Sequence, residues 1–230
     1  MKTENGDDGL FVASGALSDV VLNWFGEPMG KFDSYAEAYH SAARRLFEKS
    51  SPAELRDHRA CPVVFLYRHS LELYLKEILI NGQKILQLND KPFQTEEQIF
   101  AMKHELRKLW GELKKLHKQI GWTWEAHLDA HGKIIEEFDK KDPGGFSFRY
   151  PVTKDGDPAL DGDPALDGDP ALRQSFKFDL RHFCDRMDEV LETLDKISCG
   201  IAGVLDQMLQ KRNSRNNALH RAATSHSAIG

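Results

Sequence analysis

Apolar positions along the chain recur with helical spacing, and nowhere do they alternate in the two-residue rhythm of a half-buried strand. Over 32–48, Tyr35, Ala38, Tyr39, Ala42, Leu46 and Phe47 return every third or fourth place, which predicts an amphipathic helix with those residues inward. Ser51 followed by Pro52 predicts an N-cap and a first helical residue. The most apolar stretch, VVFLYRHSLELYLKEILI at 63–80, is too long for a buried strand. Its Leu, Glu and Lys content predicts a central helix closed by Asn81-Gly82. On that helix Arg68, Glu72 and Lys76 lie four apart and form one polar stripe.

Residues 83–93, with Pro92, predict a loop, and 95–120 predicts one continuous helix. Its inward face is Leu106, Leu109, Trp110, Leu113, Leu116 and Ile120, with lysines opposite. Gly121 separates it from a weaker helix near 124–138, and Asp142-Pro143-Gly144-Gly145 ends helical structure. From about Asp179 a last long helix carries Leu180, Phe183, Met187, Val190, Leu191, Leu194, Ile197, Ile201, Val204, Leu205 and Met208 at helical spacing. Beyond Lys211 the chain turns basic and polar and is expected to fray.

Ahead of that helix, 146–174 is irregular. GFSFRYP leads into three tandem copies of DGDPAL at 155–172, and an Asp, Gly and Pro unit forms neither a core helix nor a central strand. A solvated linker of variable length is expected. The fold class is therefore all-α: an antiparallel bundle of four to five helices with a long irregular acidic loop before the last helix. The expected divisions are a flexible N-terminal segment (1–30), a helical domain (31–211) containing the 142–174 loop, and a basic, disordered tail (212–230).

Charge and composition narrow the setting. A formal net charge of −5 argues against broad, nonspecific attraction to nucleic acid, while leaving room for a local basic groove. No apolar run approaches the ~20 residues of a membrane span, and MKTENGDDGL has no signal pattern, so no membrane role is expected. Cys61, Cys184 and Cys199 are widely spaced and read as reduced thiols of a cytoplasmic protein. His117, His127 and His131 share no ligand face with carboxylates, and the DGDPAL units lack the spacing and glutamate of a calcium loop. Neither a metal nor a cofactor is expected.

Three segments carry a resemblance. FLYRHSLELYLKEILI at 65–80 is similar to an apolar helix with an embedded E-x-x-x-K, and HELRKLWGELKKL at 104–116 to the H-x-L-x-x-L helix that follows it. FRYP at 148–151 is similar to a turn seen before the last helix. In this order, across 65–208, they resemble the HEPN superfamily of small bacterial and archaeal helical domains. The resemblance implies a homodimer that acts on RNA, as a metal-independent endoribonuclease in a toxin or phage-defence setting. It also allows a noncatalytic module that binds a nucleotide or a partner protein encoded nearby, or a structural subunit of a larger defence complex.

The family's ribonuclease signature is an Arg, four to six residues, then a His. Arg215 and His220, with Asn216 directly after the Arg, match that pattern, and Arg221 with His226 is a looser match. In metal-free RNA cleavage a His takes the 2′-OH proton and an Arg steadies the charged phosphorane. The bland alternative is an ordinary basic tail. A second cluster combines Arg68, Glu72 and Lys76 with His104, Arg149 and Tyr150. If FRYP folds back on the body, these six form a basic pocket for a phosphate or nucleotide. The alternative is a buried ion-pair network with His104 at a helix end and Tyr150 as filler.

Overall fold

Everything is arranged around one helix. In the computed structural model, which describes residues 32–122, 126–153, 155–160 and 176–227 with Leu10 and Val20 (side chains of 126–127 and 219–227 excepted), that helix is α2, Cys61–Leu88. Every residue from 70 to 83 is buried, so α2 is enclosed on all sides, as expected of a helix that is apolar around most of its circumference. It runs two turns past its predicted end. Asn81 and Gly82 are interior: the Asn81 amide donates to Glu77 Oε1 at 2.6 Å, one turn back. A Cβ on Gly82 would lie 2.3 Å from Leu116 Cδ2, so the glycine is there for close packing, not for capping.

α1 (Phe32–Lys49) packs along α2. Its inward side is Phe32, Ala36, Tyr39, His40, Ala43 and Phe47, whereas Tyr35, Ala38, Ala42 and Leu46 are exposed. The predicted face is thus partly wrong, because small residues line the contact: Ser70 Oγ donates to the Ala36 carbonyl at 2.7 Å, which a bulky side chain would prevent. Ser51 and Glu54 bond each other reciprocally, but they close a turn and no α-helix follows them. A single 3-10 turn, Asp57–Ala60, leads directly into α2.

The helix expected over 95–120 is two. α3 (Glu96–Phe100) opens with a Thr95/Gln98 capping box, and α4 (Leu106–Ile120) follows after a turn in which Lys103 takes φ 53°. α4 buries the predicted face against α2, and Gly121, at φ 81°, closes it as expected. α5 (Ala126–Lys141) packs on α4 and ends in a 3-10 turn, Pro143–Gly145. α6 (Leu180–Ser227) starts at Asp179, whose carboxylate accepts from the amides of Arg181 and His182 at 2.9 and 3.1 Å.

Among the described residues the fold is therefore all-α, with six α-helices where four to five were expected. The last helix continues as helical backbone to Ser227, well beyond the fraying expected at Lys211. Segment 1–30 lies almost wholly outside the described residues, as do the second and third DGDPAL copies. The first copy is more ordered than a linker need be: it turns back on the FRYP segment through an isolated bridge between Val152 and Pro158. No helix is long and apolar enough to cross a membrane among the described residues.

Candidate functional site

The polar stripe of α2 is the centre of a buried charge network. Glu72 Oε1 accepts from Lys76 Nζ at 2.7 Å, and Glu72 Oε2 lies 3.4 Å from Arg68 Nη1. Arg68 Nη2 donates to the His104 carbonyl at 2.7 Å and more weakly to the Asp142 carbonyl at 3.3 Å. Its Nε faces Asp142 Oδ2 at 2.9 Å, an ionic contact in which the N–H itself is poorly aligned. Two carboxylates thus balance two cations, all four nearly free of water. Burial alone would raise Glu72, but Lys76 and His104 outweigh it and hold the carboxyl below its usual value. Burial likewise lowers Arg68, with Asp142 and Glu72 pulling the other way.

Asp142 is the member the sequence reading missed. It is 1% exposed, it sits just after α5, and its Oδ1 also accepts the Ser147 amide at 2.7 Å, which fixes the start of GFSFRYP. Its only sequence signal was membership of an Asp-Pro-Gly-Gly turn. Gly145, at φ 77°, completes the seat, since a Cβ there would lie 2.8 Å from Arg68 Nη1.

The exposed residues hang on this network. His104 Nδ1 lies 3.0 Å from both oxygens of Glu72, while its side chain is 47% accessible. An imidazole held through Nδ1 on a buried carboxylate keeps Nε2 as its second polar atom. Arg149 Nε donates to the Gly145 carbonyl at 2.6 Å, and its guanidinium lies over three rings: Phe146 at 5.0 Å, Phe65 at 5.6 Å and Tyr150 at 5.7 Å. Phe146 and Tyr150 stack on each other at 5.9 Å, and both are well exposed. His69, also unanticipated, stacks on Phe65 at 5.8 Å and meets Tyr39 edge-on at 4.5 Å. Burial lowers its pKa.

Beside the aromatic ledge runs an open groove of about 960 Å³, lined by Phe146 and Tyr150 together with Lys140, Lys141, Asp155 and Asp157. Compared with known proteins, the chain matches no protein-family model, no curated protein and no solved structure. The geometry of the site must therefore carry its own interpretation. All six residues of the second predicted cluster lie in one connected region, but in two layers. Arg68, Glu72 and Lys76 are the buried ion pairs of the bland alternative, while His104, Arg149 and Tyr150 form an accessible layer on top.

The predicted Arg215–His220 pair has a different setting. Arg215 is exposed on α6, past the last residues of that helix that touch the core, and the His220 side chain lies outside the described residues. A separate cluster at the α1–α6 seam joins His40 Nε2 and the Tyr67 hydroxyl to Asp188 Oδ1 at 2.6 and 2.8 Å. Burial first, then Asp188 and Asp185, pushes the adjacent Cys184 thiol up to about 12, so it stays protonated. We read this seam as a clamp between helices. Among the described residues no group of His, Cys, Asp and Glu is arranged to hold a metal ion.

Proposed function

We propose that this protein is a HEPN-like module that binds single-stranded RNA, with one nucleotide seated on the ledge of Phe146, Arg149 and Tyr150. The observation that carries the reading is the exposed Arg149 guanidinium, stacked against three rings and aimed by the Gly145 carbonyl. Exposed aromatic faces take nucleobases without sequence preference, at about 1–3 kcal/mol per base, and Arg pairs with phosphate oxygens. Lys140 and Lys141 on the groove wall supply further phosphate contacts. The buried pairs beneath are the scaffold: they hold the 142–149 segment against α2 so that the ledge does not shift when RNA binds.

A second reading, RNA cleavage, has one specific observation in its favour. His104, fixed at Nδ1 by Glu72 with its side chain about half accessible, is placed as a general base is, which makes it the residue to test before His220. In that reading the protein is a metal-independent endoribonuclease of a toxin or phage-defence system.

The test is binding of a fluorescein-labelled 20-nucleotide RNA of mixed sequence, followed by anisotropy, with Arg149→Ala and Tyr150→Ala beside the wild type. Each variant is expected to weaken binding about 5- to 150-fold, by the ~1–3 kcal/mol of a stacking contact. Unchanged affinity in both variants would remove RNA from the ledge. Incubation of the same RNA without metal, with His104→Ala as control, decides the cleavage reading.

A further inference from the structure

Burial and acidity end at the same turn of α6. Among the described side chains Leu205 is the last buried one and Met208 the last half-buried one, and every residue over 209–218 is exposed. Asp206 is also the last carboxylate residue of the sequence. From 207 onward the side chains Lys211, Arg212, Arg215 and Arg221 carry +4 against −5 for the whole chain, leaving −9 on the rest. Beyond Met208 the helical backbone continues for 19 residues, an arm of about 28 Å at ~1.5 Å per residue.

Lys211, Arg212 and Arg215 emerge within about 100° of one another around the helix, so they form one positive stripe. Arg215 lies about 10 Å past Met208, beyond the ~8 Å screening length of physiological salt, while Lys211 and Arg212 lie about 5 and 6 Å past it, so the acidic body leaves the outer end of the stripe uncancelled. The helix dipole does not account for these cations, because its effect is confined to the last turn. Arg215 is twelve residues short of Ser227. The arm's cationic stretch, 210–217, holds only Gln, Lys, Arg, Asn and Ser, with Leu209 exposed at its base.

We infer that the 209–227 arm of α6 is an electrostatic clamp for the phosphate backbone of RNA, distinct from the ledge. The inference extends the RNA reading above and adds a second contact to it. Three cations on one arm hold phosphates without reading bases, and Asn216, about 40° from Arg212 around the helix, adds a hydrogen-bond donor. Over 209–218 the helix has no buried side chain, and Lys211 repels Arg215 one turn away, which weakens it. A bound polyanion relieves that repulsion, so helicity is expected to rise on binding.

The experiment measures Kd for the labelled 20-nucleotide RNA against KCl from 50 to 300 mM. It compares wild type, Lys211→Gln/Arg212→Gln/Arg215→Gln, and Arg149→Ala. Each phosphate neutralised on a single strand contributes about −0.7 to the slope of log affinity against log salt, so the triple variant is expected to lose about 2 from that slope. Its melting temperature should match the wild type, because all three side chains are exposed. An unchanged slope in the triple variant overturns the clamp. If Arg149→Ala binds normally while the triple variant does not, the ledge fails and the clamp stands. The reverse pattern sinks the clamp alone, and a wild type that binds no RNA sinks both.

Discussion

Glu77 offers the sharpest test of the physical reasoning, because its carboxyl is buried in the middle of α2 at 2% exposure. Burial raises its pKa from 4.5 to about 6, against a lowering hydrogen bond from Asn81, with the Asp33 charge adding to the rise. A carboxyl with a raised folded-state pKa contributes stability that is fully present below about pH 4.5. That contribution is lost as pH climbs through 6. At ~1.4 kcal/mol per pH unit, the interval corresponds to about 2 kcal/mol between pH 4 and pH 7.5. Glu77→Gln keeps the shape and removes the charge. Its amide nitrogen takes the place of Oε2, which has no hydrogen-bond partner, and this imposes a cost that does not vary with pH. The diagnostic quantity is therefore the difference in Tm between variant and wild type. It should move in the variant's favour by about 4–8 °C from pH 4 to pH 7.5, at ~2–4 °C per kcal/mol for a chain of this size. Circular-dichroism melts at half-unit pH steps measure it; Asp33 and Lys84 act on the carboxylate of the wild type alone, and both are already contained in its shift. A difference that stays flat with pH would refute the argument, because Glu77 would then not titrate between 4.5 and 6.

Three further outcomes are expected. Asp142→Asn should destabilise the fold by about 3 kcal/mol, the lower end for breaking a buried pair, since Arg68 keeps Glu72; urea unfolding measures it, and a loss under 1 kcal/mol would mean that Asp142 does not compensate Arg68. Gly145→Ala puts a Cβ on a left-handed backbone and against Arg68, so a loss of about 1–3 kcal/mol should come with weaker RNA binding, as Arg149 is aimed by the same carbonyl. Removal of 161–172, leaving one DGDPAL copy, should change Tm by less than about 2 °C, because closure entropy varies slowly with loop length; a larger drop would show that those copies pack on the body.

How much could be read in advance depended on distance along the chain. The stripe Arg68, Glu72 and Lys76 was legible because four residues make one helical turn, and the geometry inside a helix is local. Asp142 was not, because it meets Arg68 from 74 residues away, and no periodicity encodes that meeting. Where helices approach closely, hydrophobicity pointed to the wrong residues. α1 meets α2 through Ala36 and Ala43, while the larger Tyr35 and Leu46 stay outside. The same physics hid the true end of α2: an Asn-Gly pair reads as a stop unless Leu116 is known to fill the space over the glycine. The ledge was half legible. Arg149 and Tyr150 were singled out, but Phe65, His69 and Phe146 join them only when GFSFRYP folds onto α2.

The central position of α2 also bears on synthesis of the chain. α1 reaches it across only 50–60 and α4 across 89–105, so a ribosome can release these helices and they can pair at once. α6 must return over some ninety residues, at a loop-closure cost about 2 kcal/mol above that of a ten-residue connection. Until it does, the hydroxyls of Tyr67 and Tyr74 have no Asp188 or Asp195 to meet, and the flank of α2 around them stays uncovered. Translation through the DGDPAL repeats falls within that interval, so this is when the nascent protein is most prone to aggregate.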